Sequence, residues 1–200
     1  MLYLFSDGIE KAAAIIKKGG IIAYPTETFY GLGVNALDEK AVNKLFIVKK
    51  RPTSKPISIL ISDLNWLQKL VKRVPPVAEE LISQYWPGPL TIVFEAAESV
   101  LKNLTAGTGK IAIRISSHPL AQRLVQLTST PITATSANLF QMPPPISPEE
   151  IDEEIKRHID AILNGGKTSG GMPSTIIDVT IQPPVILRKG AVTLAWPEKK

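Results

Sequence analysis

Short apolar strands alternate with amphipathic helices along the whole chain, with no internal repeat. The strand candidates are brief, apolar and β-branched, as in sheets covered by helices. Helix candidates open at capping or proline residues and close at glycine, lysine or proline. These three observations predict an α/β protein with a mixed parallel/antiparallel sheet flanked by helices, in a single domain over residues 1–200.

Ser6 or Asp7 can cap a first helix whose apolar positions Ile9, Ala12, Ala13, Ile15 and Ile16 keep helical spacing, and Gly19 and Gly20 end it. Gly20 to Tyr24 reads as a buried strand, and Pro25, lacking an amide donor, ends its ladder. From Tyr24 to Gly33 regular patterning stops. The hydroxyls of Thr26, Thr28 and Tyr30 surround one carboxylate, Glu27, and Gly31 and Gly33 permit close backbone approach or a positive φ. Asp38 caps a second helix with Ala41, Val42, Leu45, Phe46 and Val48 inward, and Pro52 forces the exit after Lys49, Lys50 and Arg51.

Ile57 to Ser62 reads as a strand, 63 to 72 as a short helix, and Pro75 and Pro76 open another helix that stops at Trp86-Pro87. Leu90 to Glu95 is extended, 96 to 109 a connector, and Ile111 to Ile115 a strand before the helix opened by His118 and Pro119. Pro131 to Thr135 is a further short strand, and Met142 to Pro145 an exposed, semi-rigid loop. Glu149 to His158 is helical and polar, Ala161 to Leu163 a strand, Gly165 to Gly171 flexible, and Ser174 to Val179 and Val185 to Arg188 the last strands.

Composition narrows the chemistry. At 44% hydrophobic and 20% charged residues the chain has an ordinary globular composition. No apolar run approaches the roughly 20 residues of a membrane span. Met1 to Ser6 lack the basic region and long apolar stretch of a secretory signal, so a cytoplasmic protein is expected. The absence of cysteine excludes disulfides, thiol nucleophiles and cysteine-bound metals, and with His118 and His158 as the only histidines a histidine-rich zinc site is implausible. A net charge of +5 suits anionic partners such as nucleotides or RNA.

Candidate site residues gather at element ends. Lys49, Arg51 and Lys55 are either a triphosphate grip or a solvated basic helix end. Arg114, set between isoleucines, needs a substrate carboxylate or a buried acid unless it points outward from an edge strand. Ala134 to Asn138 offers small residues, a hydroxyl and an amide to phosphates, or makes ordinary local turns. Ser174 and Arg188 add a hydroxyl and a cation at the sheet margin. There is no Gly-x-x-x-x-Gly-Lys-Ser/Thr loop or dinucleotide fingerprint, and neither histidine sits near the hydroxyl-rich turns. Catalysis by cations and amides acting on phosphoryl charge is therefore expected.

Read in order, Tyr24 to Gly33, Lys49 and Arg51 followed by Pro52, Pro87 to Thr91, Arg114 with His118-Pro119, Ser136 with Asn138, Pro173 to Ile176 and Leu187 to Gly190 resemble the YrdC-like threonylcarbamoyl-AMP synthases. The resemblance covers roughly residues 8–191 and is to the short form without a further carboxy-terminal domain. It implies a twisted mixed sheet with a large basic concave cavity, and synthesis of threonylcarbamoyl-AMP and pyrophosphate from L-threonine, bicarbonate and ATP. ATP is a substrate, with Mg2+ carried by the nucleotide. The product would serve downstream tRNA threonylcarbamoyl transferase proteins.

By position, Thr28, Arg114, Ala134 through its backbone and Ser174 would hold threonine. Lys49, Arg51, Lys55, Lys110 through its backbone, Ser136, Asn138 and Arg188 would surround ATP, with Lys49, Arg51, Ser136 and Asn138 catalytic. The chain departs from many relatives in carrying Lys55-Pro56-Ile57 and Leu60 in place of Asn-Pro-Leu and a histidine, and Ser116-Ser117 after the arginine strand in place of a frequent proline. Two other functions fit parts of the chain: a double-stranded RNA or tRNA-binding module without catalysis, and a carbamoyl-transfer domain of hydrogenase maturation. An aromatic content of 6% argues against a base-stacking surface.

Overall fold

The computed structural model of the chain describes residues 1–196; the end of the single domain expected over 1–200 lies outside the described residues. Among the described residues, eleven strands form two mixed sheets where one was expected. The first contains β1 (Leu2–Leu4), β2 (Ile22–Pro25), β3 (Tyr30–Gly33), β8 (Thr135–Ser136) and β9 (Ala161–Leu163), in the order β1-β9-β2-β3-β8. The second contains β4 (Ile59–Leu60), β5 (Leu90–Glu95), β6 (Lys110–Arg114), β7 (Ile132–Thr133), β10 (Thr175–Asp178) and β11 (Val185–Arg188), in the order β11-β10-β5-β6-β4-β7.

The chain changes sheets at a single residue. β7 belongs to one sheet and β8 to the other, with Ala134 between them. Thr133 stitches the junction: its hydroxyl donates to Leu32 O at 2.9 Å and accepts from Val34 N at 3.1 Å. Such a change of sheet opens a crevice, and the cavity described below lies there.

Helices cover both sheets. α1 (Ile9–Lys17) and α6 (Pro119–Thr128) pack together over β2 and β9, joining Ile9, Ala12, Ile16, Leu124 and Val125 in one apolar cluster with Leu60. α2 (Glu39–Val48) buries Val42, Leu45 and Phe46 in the larger core, beside α4 (Pro76–Tyr85) and the strand residues Ile92, Phe94 and Ile113. Full burial of such side chains stabilises by about 1.5–3 kcal/mol each. The expected Asp38 cap is formed, its carboxylate accepting from Lys40 N and Ala41 N. Ser6 and Asp7 instead lie in a 3-10 turn, and α1 starts without a side-chain cap.

Several element boundaries differ from the sequence reading. Tyr30–Gly33 is a strand rather than an irregular stretch, paired antiparallel to β2 with Pro25 opposite Tyr30 as the last rung. Its glycines are there for close approach: neither has a positive φ, and a Cβ on Gly33 would lie 2.9 Å from the Tyr24 ring. The strand expected over 57–62 pairs only at Ile59–Leu60, because β6 and β7 enclose it for two residues. The helix expected over 63–72 is a 3-10 turn at Leu64–Trp66 followed by α3 (Leu67–Leu70). The connector 96–109 contains α5 (Lys102–Thr105), and the polar helix is α7 (Glu153–His158), starting only where Asp152 caps it.

Met142 to Pro145 is not a freely exposed loop. Pro145 is buried, and its carbonyl accepts from Tyr30 N at 2.9 Å. Residues 165–171 are irregular but tied down as well. Thr168 Oγ1 and Gly170 N both donate to Thr28 O at 2.9 Å, and the Tyr30 hydroxyl donates to Gly166 O at 2.7 Å. Both segments brace the loop that carries Thr28.

Candidate active site

A cavity of about 460 Å3 opens between the two sheets. Among the described residues its charged lining members are Arg51, Arg114 and Arg188, and no carboxylate lines it. Hydroxyls from Thr26, Thr28, Ser58, Thr91, Ser136 and Ser174 share the wall, with Met142, Pro144 and Leu187 as apolar members. Its volume lies within the range of small-molecule pockets.

β6 delivers Arg114, which is 6% exposed. Glu27 faces it, Oε1 lying 3.3 Å from Nη1. A partly buried acid, its side chain 14% exposed, therefore meets the arginine, while the arginine still contributes to the cavity wall. Glu27 Oε2 accepts from the Ser116 hydroxyl, so the carboxylate links two chain segments. Thr28 comes from the turn between β2 and β3, its hydroxyl 3.1 Å from that of Thr26. On the opposite wall, Ser174 Oγ lies 2.9 Å from Thr91 Oγ1, where β10 runs parallel to β5. Arg188 on β11 donates twice to Ser174 O, at 3.0 and 2.8 Å, and once to Ser174 Oγ at 2.9 Å. Burial and then the charge of Arg114 hold the Arg188 pKa below its ordinary value, an arrangement that favours an anion between them.

Arg51 reaches the wall from the end of α2. Nε donates to Lys55 O at 3.2 Å and Nη2 to Pro56 O at 2.8 Å, and its guanidinium lies 5.5 Å from the Phe140 ring centroid. Ser136 and Asn138 line the same hollow. Asn138 donates its amide to Leu139 O and Met142 O, which leaves Oδ1 buried without a partner. An acceptor stranded this way awaits a donor from a ligand or water.

Other expected site residues take different places. Lys49 is 1% exposed and absent from the lining; Nζ donates to Ser136 O at 2.5 Å and Asn138 O at 2.6 Å. Burial, and secondarily Arg51, lower its pKa to about 7. Lys49 thus braces the Ser136–Asn138 turn from inside. Lys55 is exposed and touches the site through its carbonyl on Arg51. Lys110 pairs with Asp178 at 2.9 Å, outside the cavity lining. Ala134 lines the cavity, but its N–H already donates to Ser58 O at 2.7 Å and its carbonyl accepts from Ser58 Oγ at 2.8 Å. Leu60 is fully buried under α1 and α6, away from the wall.

Sequence reasoning assigned no role to Thr91, Ser58 or Tyr24, and left Glu27 open between orienting neighbouring cations and bracing its loop. Thr91 ends the Pro87–Thr91 motif, which is a usable signal; Ser58 lies between Ile57 and Ile59 in the stretch read as a strand, with no signal of its own. Tyr24 is fully buried with its hydroxyl on Thr133 O at 2.8 Å, and burial pushes its pKa well up. Neither histidine enters the site: His118 Nδ1 accepts from Leu120 N at the start of α6, and burial lowers its pKa, in keeping with a neutral capping ring.

The Sua5/YciO/YrdC family model, described as telomere recombination, matches residues 14–190. The chain belongs to this family. A threonylcarbamoyl-AMP synthase of Pyrococcus abyssi is 43% identical over 191 residues, covering 96% of this chain and 56% of that enzyme. The chain spans about half the length of the first curated relatives that it matches. The crystal structure of P. abyssi Sua5 complexed with L-threonine is similar at TM-score 0.90 and 41% identity, over 94% of this chain and 57% of that one. Escherichia coli YciO is similar at TM-score 0.84 and 30% identity, over 95% of each chain.

For a member of the Sua5/YciO/YrdC family, the expected mixed α/β fold is thus in place. Thr28, Arg51, Arg114, Ala134, Ser136, Asn138, Ser174 and Arg188 converge on one cavity, whereas Lys49, Lys55 and Lys110 do not reach its wall. Among the described residues no group of three or more acidic or histidine side chains could hold a metal ion.

Proposed function

We propose that this chain is a threonylcarbamoyl-AMP synthase, a nucleotidyltransferase using L-threonine, bicarbonate and ATP. The observation that carries this reading is Arg114: buried in the wall of a cavity whose charged lining residues are all arginines, it presents a guanidinium where an amino-acid carboxylate fits. Thr28, Thr91 and Ser174 provide hydroxyl partners for a polar side chain in the same hollow.

The reaction needs two steps, each of which forms one bond and breaks another. The threonine amine forms a C–N bond with bicarbonate, losing water, to give a carbamate. A carbamate oxygen then attacks the α-phosphorus, and the α–β phosphoanhydride bond breaks to release pyrophosphate. Arg51 and Arg188 would offset charge on the phosphates, with Ser136 and Asn138 placing them, while Lys49 fixes the Ser136–Asn138 turn. Magnesium, if carried by ATP, supplies further charge neutralisation.

The product fits use in threonylcarbamoylation of tRNA by downstream transferase proteins, in the cytoplasm. No described helix is long and apolar enough to cross a membrane. The size of the cavity and its arginine and hydroxyl lining support a small-molecule reading over an RNA-binding module. Purified protein with ATP, labelled threonine and bicarbonate should release pyrophosphate only when all three are present. Salt-dependent RNA binding without pyrophosphate release would favour the RNA module instead.

A further inference from the structure

We propose that Glu27 and Ser116 are positioning residues that hold the Arg114 guanidinium from behind the cavity wall and so set affinity for the substrate carboxylate; this rests on the threonine reading above. Glu27 lies between Thr26 and Thr28, both of which line the cavity, but it does not line the cavity itself. Its carboxylate turns back into the protein, with one oxygen 3.3 Å from Arg114 Nη1 and the other accepting from the Ser116 hydroxyl.

Ser116 is 2% exposed, and its Oγ also accepts from His118 N at 3.2 Å. The start of α6, Ser116, Glu27 and Arg114 thus form one connected line across the back of the pocket. Arg51 and Arg188 are oriented by hydrogen bonds to backbone carbonyls, but Arg114 Nη1 makes none. Nη1 is buried and faces Glu27 at 3.3 Å, so charge attraction to that carboxylate holds this side of the guanidinium. A buried arginine without its acid would shift or draw in water, and the carboxylate fork would lose its fixed orientation.

This arrangement separates threonine affinity from nucleotide affinity. Calorimetric titration of L-threonine, and separately of ATP, into wild type, Glu27→Gln, Glu27→Asp and Ser116→Ala tests it, with thermal unfolding of each variant alongside. Glu27→Gln is expected to weaken threonine binding about tenfold or more, with ATP affinity held within about twofold. Ser116→Ala should weaken threonine binding in the same direction by a smaller factor, and Glu27→Asp, which keeps the charge, should recover part of the loss. Should Glu27→Gln fail to fold, Ser116→Ala carries the comparison. Unchanged or tighter threonine binding in the folded variants overturns the proposal, as does an equal loss for ATP. If wild type itself binds no threonine, the threonine reading falls, a result distinct from variants that match a binding-competent wild type.

Discussion

Lys49 Nζ donates to the Asn138 carbonyl at 2.6 Å from a position 1% exposed. A cation expected at the phosphates therefore serves the loop that carries two polar wall residues. Lys49→Met removes the donor to two buried carbonyls, each worth about 1–3 kcal/mol when left unsatisfied. The variant should unfold at clearly lower denaturant concentration and lose activity through Ser136 and Asn138. The linkage is also testable. Burial lowers the folded-state pKa to about 7 from 10.5, so the Lys49 contribution is fully present above 10.5 and lost as pH falls through about 7. Wild type should gain stability over Lys49→Met as pH rises across that window; a constant difference in unfolding midpoint would contradict it.

Arg114→Ala strips the guanidinium from the wall and leaves Glu27 facing no cation. Loss of at least about 2 kcal/mol in kcat/KM for threonine is expected, roughly thirtyfold. Arg51→Ala should cost a similar amount, seen in kcat/KM for ATP. Wild-type turnover in either variant would place the substrates elsewhere.

Arg188 makes three hydrogen bonds to Ser174, so the β10–β11 margin is held by the side chain proposed to face phosphate. Arg188→Leu should raise the KM for ATP about tenfold and weaken threonine binding less, through a loosened Ser174. Steady-state kinetics with each substrate varied in turn distinguishes the two effects.

A Cβ on Gly33 would sit 2.9 Å from the Tyr24 ring, which is anchored by its hydroxyl on Thr133 O. Overpacking at such a site costs about 1–3 kcal/mol. Gly33→Ala should lower the denaturation midpoint by that amount, and because Tyr24 also lines the cavity, reduce activity at temperatures where the variant is folded.

Where local chemistry suffices, the amino-acid sequence was readable. Asp38 caps α2 through its own carboxylate, Pro119 starts α6, and the apolar spacing of α1 matches its buried face. The reading was poorer where pairing decides: Tyr30–Gly33 becomes a strand because β2 and β8 lie on either side of it, and Ile57 to Ser62 shortens because only two of its residues find partners. β1, which the sequence did not reveal, exists by pairing with β9.

By itself, the sequence determined the α/β class, the helices with their own caps and periodicity, and the ordered motifs that mark the family. Only the tertiary structure decided which cations face the cavity. Lys49 and Asn138 are 89 positions apart, as are Glu27 and Ser116, and each pair meets through the packing of distant elements. The physical reason is desolvation: a charge turned inward must find partners, and those partners exist only once both sheets and the helices over them are assembled.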